Sequence, residues 1–318
     1  MMPRRYLITG CSGFWGSHLA PILAKEGHQV FGTCRSHSLS FEGVTSLPCD
    51  LANREAVREA VRVSRPDVIF HLAAQAYIPA AWKDFEGTFQ TNVFGTYYLL
   101  DAVRGENLKS RIIIAGSSTV YGALGKDKTS LCEEHPFKPA DPYGLSKVTQ
   151  DLLGRMYHDL FELVVIRFIP FYVIGPKKEP DAPSDFAKAI AQHRRGQTES
   201  LNVGNLNVIR DVVDIRDAIR ALRLIEEKAS AGSVYNICSG KGTLLKEILE
   251  KMIFLSHSTL KVVVDSNKFR VGDRLRIVGN ADRLRALGWK PTVPLEETLQ
   301  RVLDYWEGAQ WNLEKATR

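Results

Sequence analysis

Short runs of β-branched and aliphatic residues alternate with longer amphipathic segments through the first half of the chain. The runs that predict strands are Tyr6–Thr9, Gln29–Thr33, Val68–His71, Arg111–Ala115 and Leu163–Phe168. The segments that predict helices are Trp15–Glu26, Arg54–Ser64, Trp82–Arg104 and Tyr143–Phe161. Strands and helices in this alternation favour an α/β fold with a parallel sheet and right-handed crossovers.

The pattern changes after Gly175, where closely spaced prolines predict a loop. The later elements are a helix over Asp185–Arg194, a helix near Asp214–Glu227, a strand over Ser233–Cys238 and a last amphipathic helix after Pro294. We expect residues 1–168 plus about 208–240 to form the domain that contains the sheet. Residues of about 169–207 plus 241–318 are expected to form a smaller α/β cap.

The composition is that of a soluble globular protein, with 44% hydrophobic and 25% charged residues among 318. No apolar run reaches the ~18 residues of a membrane span, and the first residues lack an apolar signal region. The five cysteines are scattered and form no C-x-x-C pair, which predicts neither a zinc site nor a disulfide framework. We therefore expect a cytoplasmic protein without a metal site.

The formal net charge of +6 comes from Lys and Arg residues that are interleaved with acids along the chain. No basic arm or basic-aromatic stripe is present, so the sequence argues against a nucleic-acid partner. A small phosphorylated ligand suits this distribution of charge better.

A G-x-x-G-x-x-G turn formed by Gly10, Gly13 and Gly16 joins the first strand to the first helix. The glycines allow a tight turn, close approach of the backbone to a pyrophosphate, and close packing of helix on strand. The other turn residues expected beside a dinucleotide are Ser12, Phe14 and Trp15. This context predicts an NAD(P) site with the pyrophosphate at the helix N-terminus.

Arg35 follows the second strand, where an acid would hydrogen-bond the adenosine ribose of NAD. A guanidinium suits a 2′-phosphate, so we expect NADP(H) in preference to NAD(H), although Arg35 could also be a solvated turn residue. Asp50 and Leu51 are expected near the adenine, with a helix N-cap as the alternative role of Asp50. Small residues directly after the strand Val68–His71, in the run Leu72, Ala73 and Ala74, would let a ligand lie across the sheet edge.

Tyr143 and Lys147 are spaced i and i+4 on one helix that starts at Asp141-Pro142, a favourable N-cap and first position. A charged Lys147 would lower the pKa of Tyr143 and make it a proton donor or acceptor. The Ser117 hydroxyl, which follows the strand Arg111–Ala115, would hold the same substrate oxygen. Together with a dinucleotide, these residues predict a hydride-transfer enzyme.

The motifs TGCSGFWG, HLAAQ, SSTVYG and PYGLSK together resemble the extended short-chain dehydrogenase/reductases over nearly the whole chain. The resemblance implies a Rossmann doubly wound sheet that binds NAD(P) and a C-terminal cap that binds a nucleotide-diphosphate sugar. It assigns the catalytic roles to Ser117, Tyr143 and Lys147. It also implies a homodimer, formed by packing Trp82–Arg104 and Tyr143–Phe161 into a four-helix bundle.

Further stretches, VGNLNVIRDVVDIRDA, VYNICSGKGT, LGWKPTVPLEETL and SDFAKAIAQ, resemble the branch that handles GDP-mannose derivatives. Two activities occur there: a 4,6-dehydratase and a GDP-4-keto-6-deoxy-D-mannose reductase that makes GDP-D-rhamnose. The dehydratases carry a Glu as base where this chain has Thr119. By similarity, Ser118, Tyr172, Arg210 and Arg270 are expected at the nucleotide-sugar, although Tyr172 replaces an Asn of the family.

We therefore expect an NADPH-dependent reductase of a GDP-linked 4-keto-6-deoxy sugar. A nucleotide-sugar 4-epimerase or a 4,6-dehydratase of the same family is the alternative, and a non-catalytic dinucleotide-sensing protein is a more distant one. The alternative structural roles of Arg210 are ion pairs with Asp211 or Asp214, and Arg270 could be a surface residue.

Overall fold

The computed structural model describes residues 2–35, 41–122, 130–269 and 275–316. Its strands are β1 (Arg5–Thr9), β2 (Gln29–Cys34), β3 (Val44–Pro48), β4 (Val68–His71), β5 (Arg111–Ala115), β6 (Val164–Pro170), β7 (Tyr172–Ile174), β8 (Ser200–Val203), β9 (Ile209–Asp214), β10 (Val234–Ile237), β11 (Gly242–Leu244), β12 (Lys261–Val264) and β13 (Arg276–Ile277). No helix within these ranges is long and apolar enough to cross a bilayer.

Helices follow most of the first six strands, and α7 to α11 lie among the later strands. They are α1 (Gly16–Lys25), α2 (Arg54–Ser64), α3 (Ile78–Lys83), α4 (Phe85–Phe89), α5 (Gly95–Gly105), α6 (Pro142–Phe161), α7 (Ala182–Arg194), α8 (Ile215–Lys228), α9 (Leu245–Leu255), α10 (Asp282–Ala286) and α11 (Leu295–Ala316). A π-helical turn, Gln90–Phe94, joins α4 to α5.

The main sheet has the order β3-β2-β1-β4-β5-β6-β10, and every neighbouring pair is parallel. The direction of chain progression reverses at β1, which lies between β2 and β4. In such a sheet, the crevice outside the carboxyl ends of the two strands at the reversal is the place where ligands bind. The predicted doubly wound α/β fold is confirmed, and its ligand crevice lies beside β1 and β4.

Alternate residues of β1 face the two helical layers. Tyr6 and Ile8 belong to the core on the side of α1 and α8, whereas Leu7 belongs to the core beneath α2 and α5. All three are at most 1% exposed. A strand that is buried on both faces explains the continuous apolar run at the start of the sequence.

The later part of the chain builds a second core. Strands β7, β9, β11 and β13 form one small sheet, and β8 pairs with β12. Helices α7, α9 and α11 pack around side chains that include Phe186, Leu249 and Val302. The segment 208–240 supplies β9 to the small sheet and β10 to the main sheet, so it connects the two bodies.

The single helix predicted over Trp82–Arg104 is wrong in its continuity. The Asp84 side chain accepts from the Gly87 amide and starts a new helix there. The π-helical turn around Asn92 then shifts the register before α5. The loop predicted after Gly175 is also shorter than expected, because α7 begins at Ala182 with Pro183 in its first turn, where proline is tolerated.

Candidate active site

The glycine turn lies at the crevice, packed against the residues that follow β4. Gly10 has φ +67°, and a Cβ built on it would lie 2.7 Å from Cα of Ala73. A Cβ on Gly16 would lie 2.5 Å from the carbonyl oxygen of Gly10. Side chains at these positions would therefore collide with backbone. The turn leaves its backbone open, as close approach of a pyrophosphate requires.

The other turn residues differ in exposure. Ser12 and Gly13 are exposed, whereas Phe14 and Trp15 are half-buried against the core. No side chain caps the start of α1 at Trp15, so the positive end of its dipole faces the turn. These residues fit a dinucleotide phosphate held by main-chain groups.

The remaining residues predicted beside the cofactor follow the carboxyl ends of β2, β3 and β4. Arg35 is exposed directly after β2, and Leu72, Ala73 and Ala74 are half-buried directly after β4. The amides of Leu72 and Ala73 both donate to the Thr9 hydroxyl, at 3.1 and 3.2 Å. The sheet order therefore brings Arg35 and the small residues after β4 to the same edge as the glycine turn.

Asp50 is exposed after β3, and its carboxylate accepts from the Ala52 amide at 3.0 Å. The N-cap of α2 is Asn53, whose side chain accepts from the Ala56 amide at 3.1 Å. The alternative role of Asp50 as that N-cap is therefore wrong. Leu51 is buried, and a Cβ placed on Gly95 would lie 2.8 Å from the Cβ of Leu51.

The hydroxyl cluster after β5 and the start of α6 meet beside the crevice. As predicted, Asp141 caps α6 by accepting from the Gly144 amide at 2.6 Å. The Ser117 hydroxyl interacts with the Tyr143 phenol and favours its ionised form. Its Oγ also accepts from the hydroxyl of Thr119 at 2.9 Å. Ser117 and Tyr143 thus form the pair of hydroxyls expected around a substrate oxygen.

The prediction that Lys147 lowers the pKa of Tyr143 is wrong for the protein chain alone. Burial raises the pKa of Tyr143 to about 12, and the interaction with Ser117 opposes this effect. Burial also lowers the pKa of Lys147 to about 7, because the site disfavours an ammonium. Burial thus favours the neutral phenol of Tyr143 and disfavours the ammonium of Lys147.

Lys147 is fixed by two acceptors. Its Nζ donates to the Ala115 carbonyl oxygen at 2.8 Å and to Oε1 of Gln150 at 2.7 Å. Nζ also lies 5.9 Å from the centroid of the Tyr143 ring. The helical spacing therefore brings the lysine and the phenol to one face of α6, as the sequence predicted.

A buried polar network that the sequence did not predict starts at the glycine turn. The Thr9 hydroxyl accepts two amides, so it must donate its proton to Nδ1 of His71, 2.8 Å away. Nε2 of His71 then donates to the Thr96 hydroxyl at 2.9 Å, and Thr96 donates to the Asn92 carbonyl at 2.6 Å. Burial, with a contribution from Lys147, lowers the pKa of His71 to about 3, so the imidazole is neutral.

The network continues from Asn92 to the helix of Tyr143. Nδ2 of Asn92 donates to the Gln75 carbonyl at 3.0 Å and to the Ser146 hydroxyl at 2.9 Å. Ser146 donates to the Tyr143 carbonyl at 2.7 Å. The signal in the sequence was the polar run of Thr91, Asn92 and Thr96 inside an otherwise amphipathic helical segment. Its partners, His71, Gln75 and Ser146, could not be identified because they lie far from this run in the sequence.

The residues expected at the nucleotide-sugar lie on different elements. Ser118 is half-buried in the short 3-10 turn after β5. The Tyr172 ring on β7 has the ammonium of Lys178 at 4.4 Å from its centroid. The Arg210 guanidinium on β9 donates to the Ile209 carbonyl at 3.0 Å. Arg270 lies outside the described residues.

The two carboxylates considered as partners of Arg210 have other contacts. Asp211 is buried and accepts from the amides of Ser239, Gly240 and Gly279. Asp214 pairs with Arg216 at 2.9 Å. Within the described ranges, no group of three or more His, Cys, Asp or Glu side chains could hold a metal ion.

Comparison with known proteins gives the family. The family model described as GDP-mannose 4,6 dehydratase matches residues 7–302. The GDP-6-deoxy-D-mannose reductase of Pseudomonas aeruginosa is 30% identical over 313 residues, which cover 96% of this chain and 98% of that protein. The UDP-glucose 4-epimerase of Mycolicibacterium smegmatis is 27% identical and covers 95% of this chain and 98% of its own.

Solved structures agree with the sequence relatives. RMD from Pseudomonas aeruginosa in complex with NADPH has a TM-score of 0.84 at 30% identity, covering 96% of this chain and 99% of that one. The UDP-glucose 4-epimerase of Thermus thermophilus in complex with NAD has a TM-score of 0.87 at 26% identity, covering 96% and 99%. Both the family match and these relatives span nearly the whole fold. The chain therefore belongs to the GDP-mannose 4,6 dehydratase family, within the extended short-chain dehydrogenase/reductases that its motifs resemble.

Proposed function

We propose that the protein is an NADPH-dependent reductase of a GDP-linked 4-keto-6-deoxy sugar, of the type that converts GDP-4-keto-6-deoxy-D-mannose to GDP-D-rhamnose. The relative from Pseudomonas aeruginosa named as a GDP-6-deoxy-D-mannose reductase supports this choice within the family. The family also contains dehydratases and epimerases, so the choice depends on the site.

Thr119 is the observation that carries the proposal. A dehydratase needs a base to remove the C5 proton, and a carboxylate at this position would serve. Thr119 offers a hydroxyl, which is a poor base at neutral pH, and that hydroxyl donates to Ser117 at 2.9 Å. The nearby Asp141 carboxylate accepts the Gly144 amide as the cap of α6. A carbonyl reduction needs no such base, and this favours reductase over dehydratase.

The bound dinucleotide would supply a hydride to the sugar C4 carbonyl. Tyr143 then donates its proton to the forming alkoxide, and the Ser117 hydroxyl holds the same oxygen. A pKa of about 12 keeps Tyr143 protonated at neutral pH, which is the state needed for donation. Lys147 lies beside the phenol and would hold the nicotinamide ribose. Ser118, Tyr172, Arg210 and Arg270 are proposed to contact the nucleotide-sugar.

The direct test is incubation of the purified protein with NADPH and a panel of nucleotide-linked 4-keto sugars. Loss of absorbance at the NADPH band, with a GDP-linked 6-deoxyhexose as product, is the expected result. Product stereochemistry identifies the alcohol formed at C4. If no 4-keto sugar in the panel supported NADPH oxidation, the proposal would be contradicted.

A 4-epimerase remains the second candidate, supported by the TM-score of 0.87 to the Thermus thermophilus enzyme. An epimerase regenerates its cofactor in each cycle and should retain bound NAD during purification. Release of NAD on denaturation, together with turnover that needs no added reductant, would favour that activity. A protein purified without cofactor that requires NADPH would favour the reductase.

Arg35 provides a prediction about the cofactor. We expect Arg35→Ala to raise KM for NADPH about 10-fold or more, because a charge-assisted contact to the 2′-phosphate is lost. KM for NADH should stay unchanged, because NADH lacks that phosphate. Steady-state kinetics with each cofactor measure the effect. Equal KM values for NADPH and NADH in the parent protein, or equal losses in the variant, would remove Arg35 from cofactor selection.

We also propose that the protein forms a homodimer through α5 and α6. One face of α6 presents the exposed apolar residues Leu145, Leu152, Met156 and Leu160, of which Leu160 is 68% exposed. These residues recur at helical spacing along the length of α6 and form a stripe next to α5. An apolar stripe of this length is typical of a helix-packing interface.

Leu160→Asp is expected to shift the protein from dimer to monomer, because a carboxylate in the stripe would have to be desolvated on association. Sedimentation velocity over a range of concentrations measures the shift. Phe254→Asp is the matched control, since Phe254 is 76% exposed on α9, away from this face. A parent protein that sediments as a monomer, or two variants that behave alike, would contradict the interface.

A further inference from the structure

Gln150 lies one helical turn beyond Lys147 and is 0% exposed. Its Oε1 accepts from Nζ of Lys147 at 2.7 Å. An ammonium has three N–H donors, and the Ala115 carbonyl occupies a second of them at 2.8 Å. Two acceptors from different elements, β5 and α6, therefore fix the lysine head group and leave one donor for the site.

Burying the amide of Gln150 at this position costs free energy, unless the amide is needed to bind the Lys147 head group. Its Nε2 is buried and has no hydrogen-bond acceptor among the described protein atoms. An apolar side chain of the same length would fill the space without burying an unpaired donor. The amide oxygen is the part of Gln150 that makes a hydrogen bond, and it accepts that bond from Lys147.

We propose that Gln150 is a positioning residue, which holds the Lys147 head group beside Tyr143 through a neutral acceptor. This inference rests on the proposed function for its catalytic meaning, because Lys147 is the group that Gln150 acts through. A carboxylate at position 150 would hold the ammonium as an ion pair and keep it charged. An amide supplies the geometry without a counter-charge, so Lys147 can lose its proton near neutral pH.

The other ionisable groups around Lys147 could also affect its titration, so the charge of each must be considered. Tyr143 lies on the same helix, and its pKa of about 12 keeps it neutral. His71 interacts with Lys147 from the end of β4, and its pKa of about 3 keeps it neutral as well. The Asp151–Arg167 ion pair, at 2.9 Å, lies between α6 and β6. Replacing Gln150 by Glu would place a negative charge in direct contact with the Lys147 ammonium.

The test measures Lys147 itself, in protein free of cofactor and substrate. Lysine 13Cε resonances are followed by NMR across pH, and Lys147→Arg assigns the signal of Lys147. Gln150→Glu is expected to raise the pKa of Lys147 by about 1–3 pH units through the new opposite charge. Gln150→Leu, which removes the acceptor of the charged form, is expected to lower it. Thr149→Ala is the control on the same turn, since its hydroxyl donates to the Leu145 carbonyl.

Kinetics provide the second readout. Gln150→Leu should lower kcat about 10-fold or more with little change in KM for the sugar, because a misplaced lysine weakens the reacting geometry. Gln150→Glu should restore part of kcat and move the basic limb of the pH profile to higher pH. Circular dichroism melting checks that each variant folds, and Gln150→Glu tests the contact even if Gln150→Leu does not fold.

An unchanged Lys147 titration in folded Gln150→Glu protein would overturn the inference. That result differs from failure of the proposed function, in which the titration shifts as expected but no 4-keto sugar is reduced. In that case Gln150 still positions Lys147, for a different reaction of the family.

Discussion

Tyr143→Phe is expected to lower kcat by about 10²–10⁴-fold, because the variant cannot give a proton to the alkoxide formed at C4. Binding of NADPH should remain within a few-fold of the parent, since the phenyl ring still fills the buried position. Steady-state measurement of NADPH oxidation gives kcat, and fluorescence titration gives the dissociation constant of NADPH. The split between turnover and binding identifies Tyr143 as a proton donor.

Tyr121→Phe is the matched control for this prediction. Tyr121 is also buried, and its hydroxyl donates to Oδ1 of Asn236 at 2.8 Å, away from the proposed reaction. Its loss leaves an unpaired buried amide oxygen, which should cost about 1–3 kcal/mol of stability with kcat largely retained. If Tyr143→Phe kept full turnover, Tyr143 would have no part in the proton transfer.

Gly10→Ala is expected to abolish NADPH binding at concentrations that saturate the parent protein. The added methyl would lie 2.7 Å from Cα and 2.9 Å from the amide nitrogen of Ala73. Both atoms belong to backbone directly after β4, so the turn must shift away from Ala73 and change the shape of the proposed cofactor site. The positive φ and the collision together should cost about 2–4 kcal/mol in the free energy of unfolding.

Gly27→Ala separates the two causes. Gly27 has φ +83°, and a Cβ there meets nothing within 4 Å. This variant should lose only the conformational part, about 1–2 kcal/mol, and should bind NADPH normally. Urea unfolding and NADPH titration of the two variants give the comparison. Equal effects would mean that the close approach of Gly10 to Ala73 is not what shapes the cofactor site.

Much of this fold could be predicted because its signals are local. A strand buried on both faces has an apolar run, and a helix start has a cap, as Asp141 has at α6. The glycine turn is local as well, since the positive φ of Gly10 and the helix that follows lie within a few residues. The spacing of Tyr143 and Lys147 was sufficient to bring both side chains to one face of the helix.

The protonation states could not be predicted in the same way. Lys147 was expected to act as a fixed positive charge, but burial disfavours its charged form, and burial depends on packing between α6, β5 and β6. The break in the helix after Lys83 was missed for a related reason. By composition, Asp84 and Asn92 are compatible with a continuous helix. Asp84 instead caps α4 through the local Gly87 amide, and Asn92 has its partners, Gln75 and Ser146, elsewhere in the fold.

The hydrogen-bonded series from Thr9 through His71, Thr96 and Asn92 to Ser146 has a consequence for how the protein opens. The Thr9–His71, His71–Thr96 and Asn92–Ser146 links join groups on different elements, so separating either element of such a pair leaves a buried polar group unpaired. Local unfolding of one element therefore also costs the free energy of leaving polar groups on its neighbours unpaired. The glycine turn proposed to hold the cofactor and the helix that carries the proposed proton donor therefore belong to a single cooperative unit.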